Sequence, residues 1–169
     1  MKVIMSMAIT ADGFIAKSND DTSYLSEEGW DEFNARVSEI GNIIMGRKTY
    51  DIMFEDKSIE GIKNATIVVL SSSKTGDVAG IHYEASAENA LAYLDNKGFD
   101  TALLSGGAST NTAFMNAGLV DEVWLDVEPT LIGKGVNLLE LKEQEVHLKL
   151  IDTKKLSKNV IQLRYELMK

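Results

Sequence analysis

Apolar residues fall along this chain in two alternating registers. Lys2 to Ile9 (KVIMSMAI), Ile43-Ile44-Met45, Ala65 to Leu70 (ATIVVL) and Thr101 to Leu104 are short apolar runs bounded by polar or glycine residues, the signature of strands buried on both faces. Between them the spacing changes to that of a helix. Trp30, Phe33, Val37 and Ile40 recur on one face behind Ser26 as N-cap, with Glu27 and Glu28 at the positive end of the dipole and Gly41 closing the helix. Ser86 likewise precedes Ala87, Ala90, Leu91 and Leu94, ended by Lys97-Gly98, and a further helix runs from Ser105-Gly106-Gly107 to Gly118. Val123 to Val127 alternates as a strand, and segments near Val146 to Ile151 and Val160 to Leu167 predict an antiparallel hairpin. Strands alternating with helices predict an α/β fold with a mostly parallel sheet and an antiparallel edge. Thr10 to Tyr24, polar and containing Gly13, reads as a loop of unusual length, and long loops in compact domains usually serve function.

Composition narrows the chemistry. The chain has 169 residues, a single proline at Pro129, and no Ser/Pro/Gly tract long enough to be a linker, so one domain is expected over 1–169. It has no cysteine, and His82 and His147 stand alone, so neither a disulfide nor a metal site is expected. Seventeen basic against 26 acidic residues give a net charge of -9, which disfavours polyanions and anionic membranes; any phosphate must be held locally. Met1 to Ile9 lacks the regions of a signal peptide and no apolar run approaches membrane-spanning length, so a cytoplasmic protein is expected.

Two places share one logic. In IIMGRKTY and LLSGGAST a buried strand stops at glycine and a helix starts within a residue or two. Glycine lets the backbone approach a ligand closely, and the first helical turn offers unpaired N–H groups and a positive dipole end. In a parallel sheet such turns lie at the carboxyl edge, so the pair could grip one extended diphosphate. Arg47 and Lys48 stand against the dipole of their helix, a placement costing about a few tenths of a kcal/mol unless an anion binds there. The alternative is that both are surface charges paired with nearby carboxylates. Ser71, Ser72, Ser73 and Lys74 follow another strand; alone they make a turn, and together with Arg47 and Lys48 they suit the extra phosphate that distinguishes NADPH from NADH. Neither GxxxxGK[ST] nor GxGxxG after the first strand is present, and no GxSxG elbow.

Four segments, MSMAITADGFIA, NIIMGRKTYDIM, VVLSSS and SGGASTNTAFMNAGLVDEVWLDVEPTLIGKG, together resemble the dihydrofolate reductase superfamily. Within it, the chain is similar to the C-terminal reductase domain of bifunctional riboflavin-biosynthesis enzymes, without their zinc deaminase half. The resemblance spans nearly the whole chain. It implies a three-layer α/β/α fold around a mixed sheet of about eight strands, and an NADPH site. By that resemblance Ala8 and Ile15 flank the nicotinamide under a mobile loop with Asp12 and Gly13. Gly46, Arg47, Lys48 and Thr49 take the diphosphate and adenosine side, and Ser71, Ser72 and Ser73 the 2'-phosphate and adenine. Ser105, Gly106, Gly107, Ala108, Ser109 and Thr110 form the glycine-rich turn under the diphosphate and nicotinamide.

The substrate side departs from the pattern. The position of the pterin-protonating acid falls on Trp30 with Asp31 adjacent, that of the folate-clamping arginine on Ala65 with Lys63 nearby, and Ser105 stands where riboflavin-type reductases often carry a glutamate. Two carboxylates are catalytic candidates. Asp31 lies beyond the edge of the Trp30/Phe33/Val37 stripe and otherwise reads as a solvated helix acid; Asp126 shares a strand face with Trp124 and otherwise reads as an edge-strand carboxylate facing water. The function implied is NADPH-dependent hydride transfer to a small pterin-like or aminouracil-like heterocycle. The alternatives are a non-catalytic module binding NADPH or another phosphometabolite, and an interaction subunit; a homodimer is compatible with any of these.

Overall fold

A computed structural model describes residues 1–140 and 145–168. The chain order is β1 (Lys2–Thr10), β2 (Phe14–Lys17), α1 (Glu27–Ile40), β3 (Asn42–Gly46), α2 (Arg47–Glu55), a 3-10 turn (Ser58–Ile62), β4 (Thr66–Leu70), β5 (Gly76–Val78), β6 (Ile81–Glu84), α3 (Ala87–Asn96), β7 (Thr101–Leu104), α4 (Ala108–Asn116), β8 (Glu122–Glu128), β9 (Gly135–Asn137), β10 (Leu148–Lys155) and β11 (Ile161–Leu167).

The expected caps are present. Ser26 accepts the Gly29 N–H, and Gly41, at φ 79°, ends α1 by donating its N–H to the Val37 carbonyl. Ser86 accepts the Asn89 N–H at the start of α3.

The main sheet runs β10-β11-β8-β1-β7-β3-β4-β6-β5, with β8 through β6 parallel and β10, β11 and β5 supplying antiparallel edges. It therefore has nine strands where about eight were expected, and a two-stranded ribbon of β2 and β9 stands apart. Both additions escape periodicity for the same reason. β5 and β9 are three residues each, and β2 is four residues inside a polar stretch, too short to display a period.

Side chains of the parallel strands alternate between two cores. Val3, Met5, Ile44, Val68, Ala102 and Leu104 meet α3 and α4 through Ala90, Leu94 and Phe114. Ile4, Ile43, Met45, Ile67, Val69 and Leu103 meet α1 and α2 through Val37 and Met53. This is the three-layer arrangement, and it leaves the carboxyl ends of β1, β3, β7 and β8 facing one way between the helix layers. No helix among the described residues is long and apolar enough to cross a membrane.

Candidate functional site

A cavity of about 380 Å³ lies at that carboxyl edge. Its floor is made by the two glycine turns. β3 enters α2 through Gly46 and β7 enters α4 through Ser105, Gly106 and Gly107; neither Gly46 nor Gly107, as N-cap, provides a side-chain acceptor. The contrast with α1 and α3, both capped by serine, means that the first turns of α2 and α4 reach the cavity wall without a side-chain cap among the described residues. The turns also touch each other: Gly46 N–H donates to the Gly106 carbonyl at 2.7 Å. Side chains are excluded there by space as well as by conformation. A Cβ on Gly46 would overlap Thr110 Oγ1, and one on Gly106, at φ 76°, would lie 2.9 Å from Met7 Cε.

Most of the residues picked from the sequence meet at this cavity. Gly46, Arg47, Lys48 and Thr49 line it from α2, Ser105, Gly107, Ala108, Ser109 and Thr110 from α4, and Ala8 and Ile15 from the N-terminal strands. Gly13 and Gly106 do not line it. Ser71, Ser72 and Ser73 are likewise outside: Ser71 Oγ accepts the N–H groups of Ser73 and Lys74, both at 3.2 Å, which is the turn geometry their composition also allowed. The cations of α2 have carboxylate partners. Lys48 Nζ lies 2.7 Å from Asp20 of the long first loop, and Arg47 lies 3.7 Å from Asp51 one helical turn on.

The other half of the cavity is walled by Trp30 and Phe33 of α1 and Ile52 and Met53 of α2. Asp31, the neighbour of Trp30, is exposed and outside the lining. The helix turns it away because Trp30, Phe33 and Val37 take the buried stripe. Asp126 lies inside, at 2% exposure. The water-facing alternative fails because β8 is an interior strand, with β1 on one side and β11 on the other. Its carboxylate accepts Arg36 Nη2 at 3.0 and 3.3 Å and Gln162 Nε2 at 2.6 Å, while Arg36 Nη1 donates to Ser6 Oγ. Register explains the cluster: Ser6 and Ala8 of β1 pair with Trp124 and Asp126 of β8, and Gln162 of β11 is opposite Asp126. Arg164 extends the chain outward by donating to Gln162 Oε1 and covering the Trp124 ring at 3.8 Å.

Arg36, Ser6 and Gln162 are absent from the residues picked by sequence. A signal for Arg36 existed: it sits three residues after Phe33 on an otherwise apolar stripe, and a cation on a buried face needs a buried carboxylate. That partner is ninety residues away on β8, which spacing alone could not show.

The profile of the RibD C-terminal domain family matches residues 1–162. The chain belongs to that family. It is similar to the uncharacterized protein YyaP of Bacillus subtilis (strain 168), 28% identical over 97% of this chain and 94% of that protein. It is also 26% identical to the riboflavin biosynthesis protein RibD of Corynebacterium ammoniagenes over 81% of this chain and 45% of that longer protein. A solved structure ascribed to riboflavin biosynthesis, from Shewanella sp. PV-4, covers the whole chain with a TM-score of 0.82 at 22% identity, a likeness of fold.

In this member of the family the long first loop is tied down at several points. Asp12 accepts the N–H groups of Ile132 and Gly133 and the Thr10 hydroxyl, joining the loop to the segment after β8. The Thr10 hydroxyl, ahead of the two backbone donors, holds the Asp12 carboxyl below its ordinary value. Asp21, holding Lys17 Nζ at 2.7 Å, is lowered to about 2. Tyr24 is pushed up, first by burial and then by the charge of Glu128, whose Oε1 accepts Ser26 Oγ at the start of α1. A depressed folded-state pKa means that the Asp12 contribution is complete above the ordinary carboxylate range and is lost as pH falls through the lowered value. Limited proteolysis should therefore cut the 11–24 region slowly at neutral pH and faster in strong acid, while Asp12→Asn is cut faster already at neutral pH. Equal cutting of both proteins at neutral pH would show that the clamp does not hold the loop.

Proposed function

We propose that this domain is an NADPH-dependent oxidoreductase that transfers a hydride to a C=N or C=O carbon of a small heterocycle of the aminouracil or pterin kind. One observation carries the proposal: two helix N-termini without side-chain caps, bonded to each other through Gly46 and Gly106, share a cavity with an aromatic wall and a fixed guanidinium. The residues fit the coenzyme, since the absence of a side chain at Gly46 lets the two turns close on each other, and the first turn of α2, without a side-chain cap, suits a diphosphate. Arg47, Lys48 and Thr49 would hold the diphosphate and adenosine side, with Ser105 through Thr110 beneath the diphosphate and nicotinamide and Ala8 and Ile15 beside the ring. Ser71, Ser72 and Ser73 are assigned to the 2'-phosphate because they follow β4, next to β3 in the sheet.

When bound, NADPH supplies the hydride. The protein's part is placement and exclusion of water. Trp30 and Phe33 stack the heterocycle, Arg36 fixes its orientation, and Asp126 holds Arg36, both of its oxygens being engaged. Asp31 has no part in this scheme, and the proton that balances the hydride comes from a single ordered water kept beside the reacting atoms while bulk water is excluded.

Fluorescence titration tests the coenzyme half. NADPH should bind at least ~tenfold more tightly than NADH, and equal or undetectable binding of both would end the proposal. Oxidation of NADPH in a panel of pterins and aminouracils tests the chemistry; binding without oxidation across the panel would leave a coenzyme-binding module instead.

A further inference from the structure

Resting on the hydride-transfer reading above, we infer that the substrate is a neutral heterocycle without a phosphate tail, held through a ring carbonyl oxygen by Arg36. Among the described residues, the cavity is lined by three cations, Arg36, Arg47 and Lys48, against four acids, Asp20, Asp56, Asp126 and Glu140. Arg47 and Lys48 stand in the first turn of α2, at the coenzyme's phosphates. Among the described residues of the lining, a phosphorylated substrate therefore has Arg36 as the one cation left to meet it.

Arg36 is already charge-matched. Its Nη2 lies 3.0 Å from Asp126, with the two side chains 6% and 3% exposed. A phosphate dianion drawn to this guanidinium would be brought beside a buried carboxylate, where the repulsion is poorly screened. A ring carbonyl presents the opposite case. It brings an acceptor and no charge, and a guanidinium has five N–H donors, of which the bonds to Ser6 and Asp126 do not use all. Those same bonds fix the plane of the guanidinium, so the oxygen it meets is specified in direction as well as in kind. The wall of Trp30, Phe33, Ile52 and Met53 suits the faces of a flat ring and offers nothing to a charged tail.

The experiment compares one ring with and without its phosphate. The protein is saturated with NADP+, and equilibrium binding is measured for 5-amino-6-(5-phosphoribosylamino)uracil and for the same compound after enzymatic removal of the phosphate. The dephosphorylated form should bind at least ~tenfold more tightly, and Arg36→Lys, which keeps the charge and loses the planar fork, should remove most of that affinity while NADPH binding stays within ~twofold. Equal or tighter binding of the phosphorylated form overturns the inference, as does failure of the dephosphorylated form to bind at ~1 mM. The wild-type comparison decides the matter even if the variant does not fold. Failure of NADPH itself to bind is a separate result that removes the oxidoreductase proposal, whereas coenzyme binding with a preference for the phosphate form removes only this inference.

Discussion

Gly46→Ala should weaken NADPH binding by at least ~100-fold. The added methyl falls between the two turns, overlapping Thr110 Oγ1 where α2 and α4 approach, and Thr110 is itself buried, so relief requires the helix starts to separate. Overpacking of this kind costs about 1–3 kcal/mol of stability. A second change separates the two effects. Gly46→Ala with Thr110→Ala removes the overlapping oxygen, so the melting temperature should recover most of its loss, while affinity recovers only in part because the methyl still stands between the turns. Titration of the coenzyme and thermal melts of the three proteins check this. Affinity within ~threefold of wild type for the single variant would mean that the turns do not form the coenzyme seat.

Arg36→Met should destabilise the domain by about 3–5 kcal/mol, because it leaves the Asp126 carboxylate buried with Gln162 as its remaining partner. Removing both charges is the informative control. Arg36→Met with Asp126→Leu keeps the volume and has no unpaired ion, so urea denaturation should return most of the lost stability. NADPH oxidation should stay absent in both proteins, since the guanidinium proposed to orient the substrate is gone from each. Equal stability of Arg36→Met and wild type would show that the pair is not buried as described. Restored turnover in the double variant would remove Arg36 from the chemistry.

How far the sequence could be read depended on the range of the interaction. Local signals were legible: the Ser26 and Ser86 caps, the Gly41 terminus, and the two strand-glycine-helix turns each depend on residues within a few positions. The half of the cavity proposed for the coenzyme is built almost wholly from such segments. The other half is built from register across the sheet. Ser6, Asp126 and Gln162 come from three strands made neighbours by pairing, and Arg36 joins them from a helix. No periodicity in one segment encodes that meeting. Asp31 illustrates the converse, since it is adjacent in sequence to the right residue and points the wrong way. The Ser71 stretch had two chemically sound readings, and only its hydrogen bonds display the turn.

The bond from Gly46 to Gly106 makes the two glycine turns, the proposed seats of a diphosphate, one mechanical unit, so an insertion in either would displace both. The Ser71 bend follows Leu70, the ladder partner of Gly46, and its hydroxyl accepts the N–H groups of Ser73 and Lys74. On the coenzyme reading proposed above, exchanging the exposed Ser72 and Ser73 would change which nicotinamide carrier is preferred while the bonded glycine turns stay fixed.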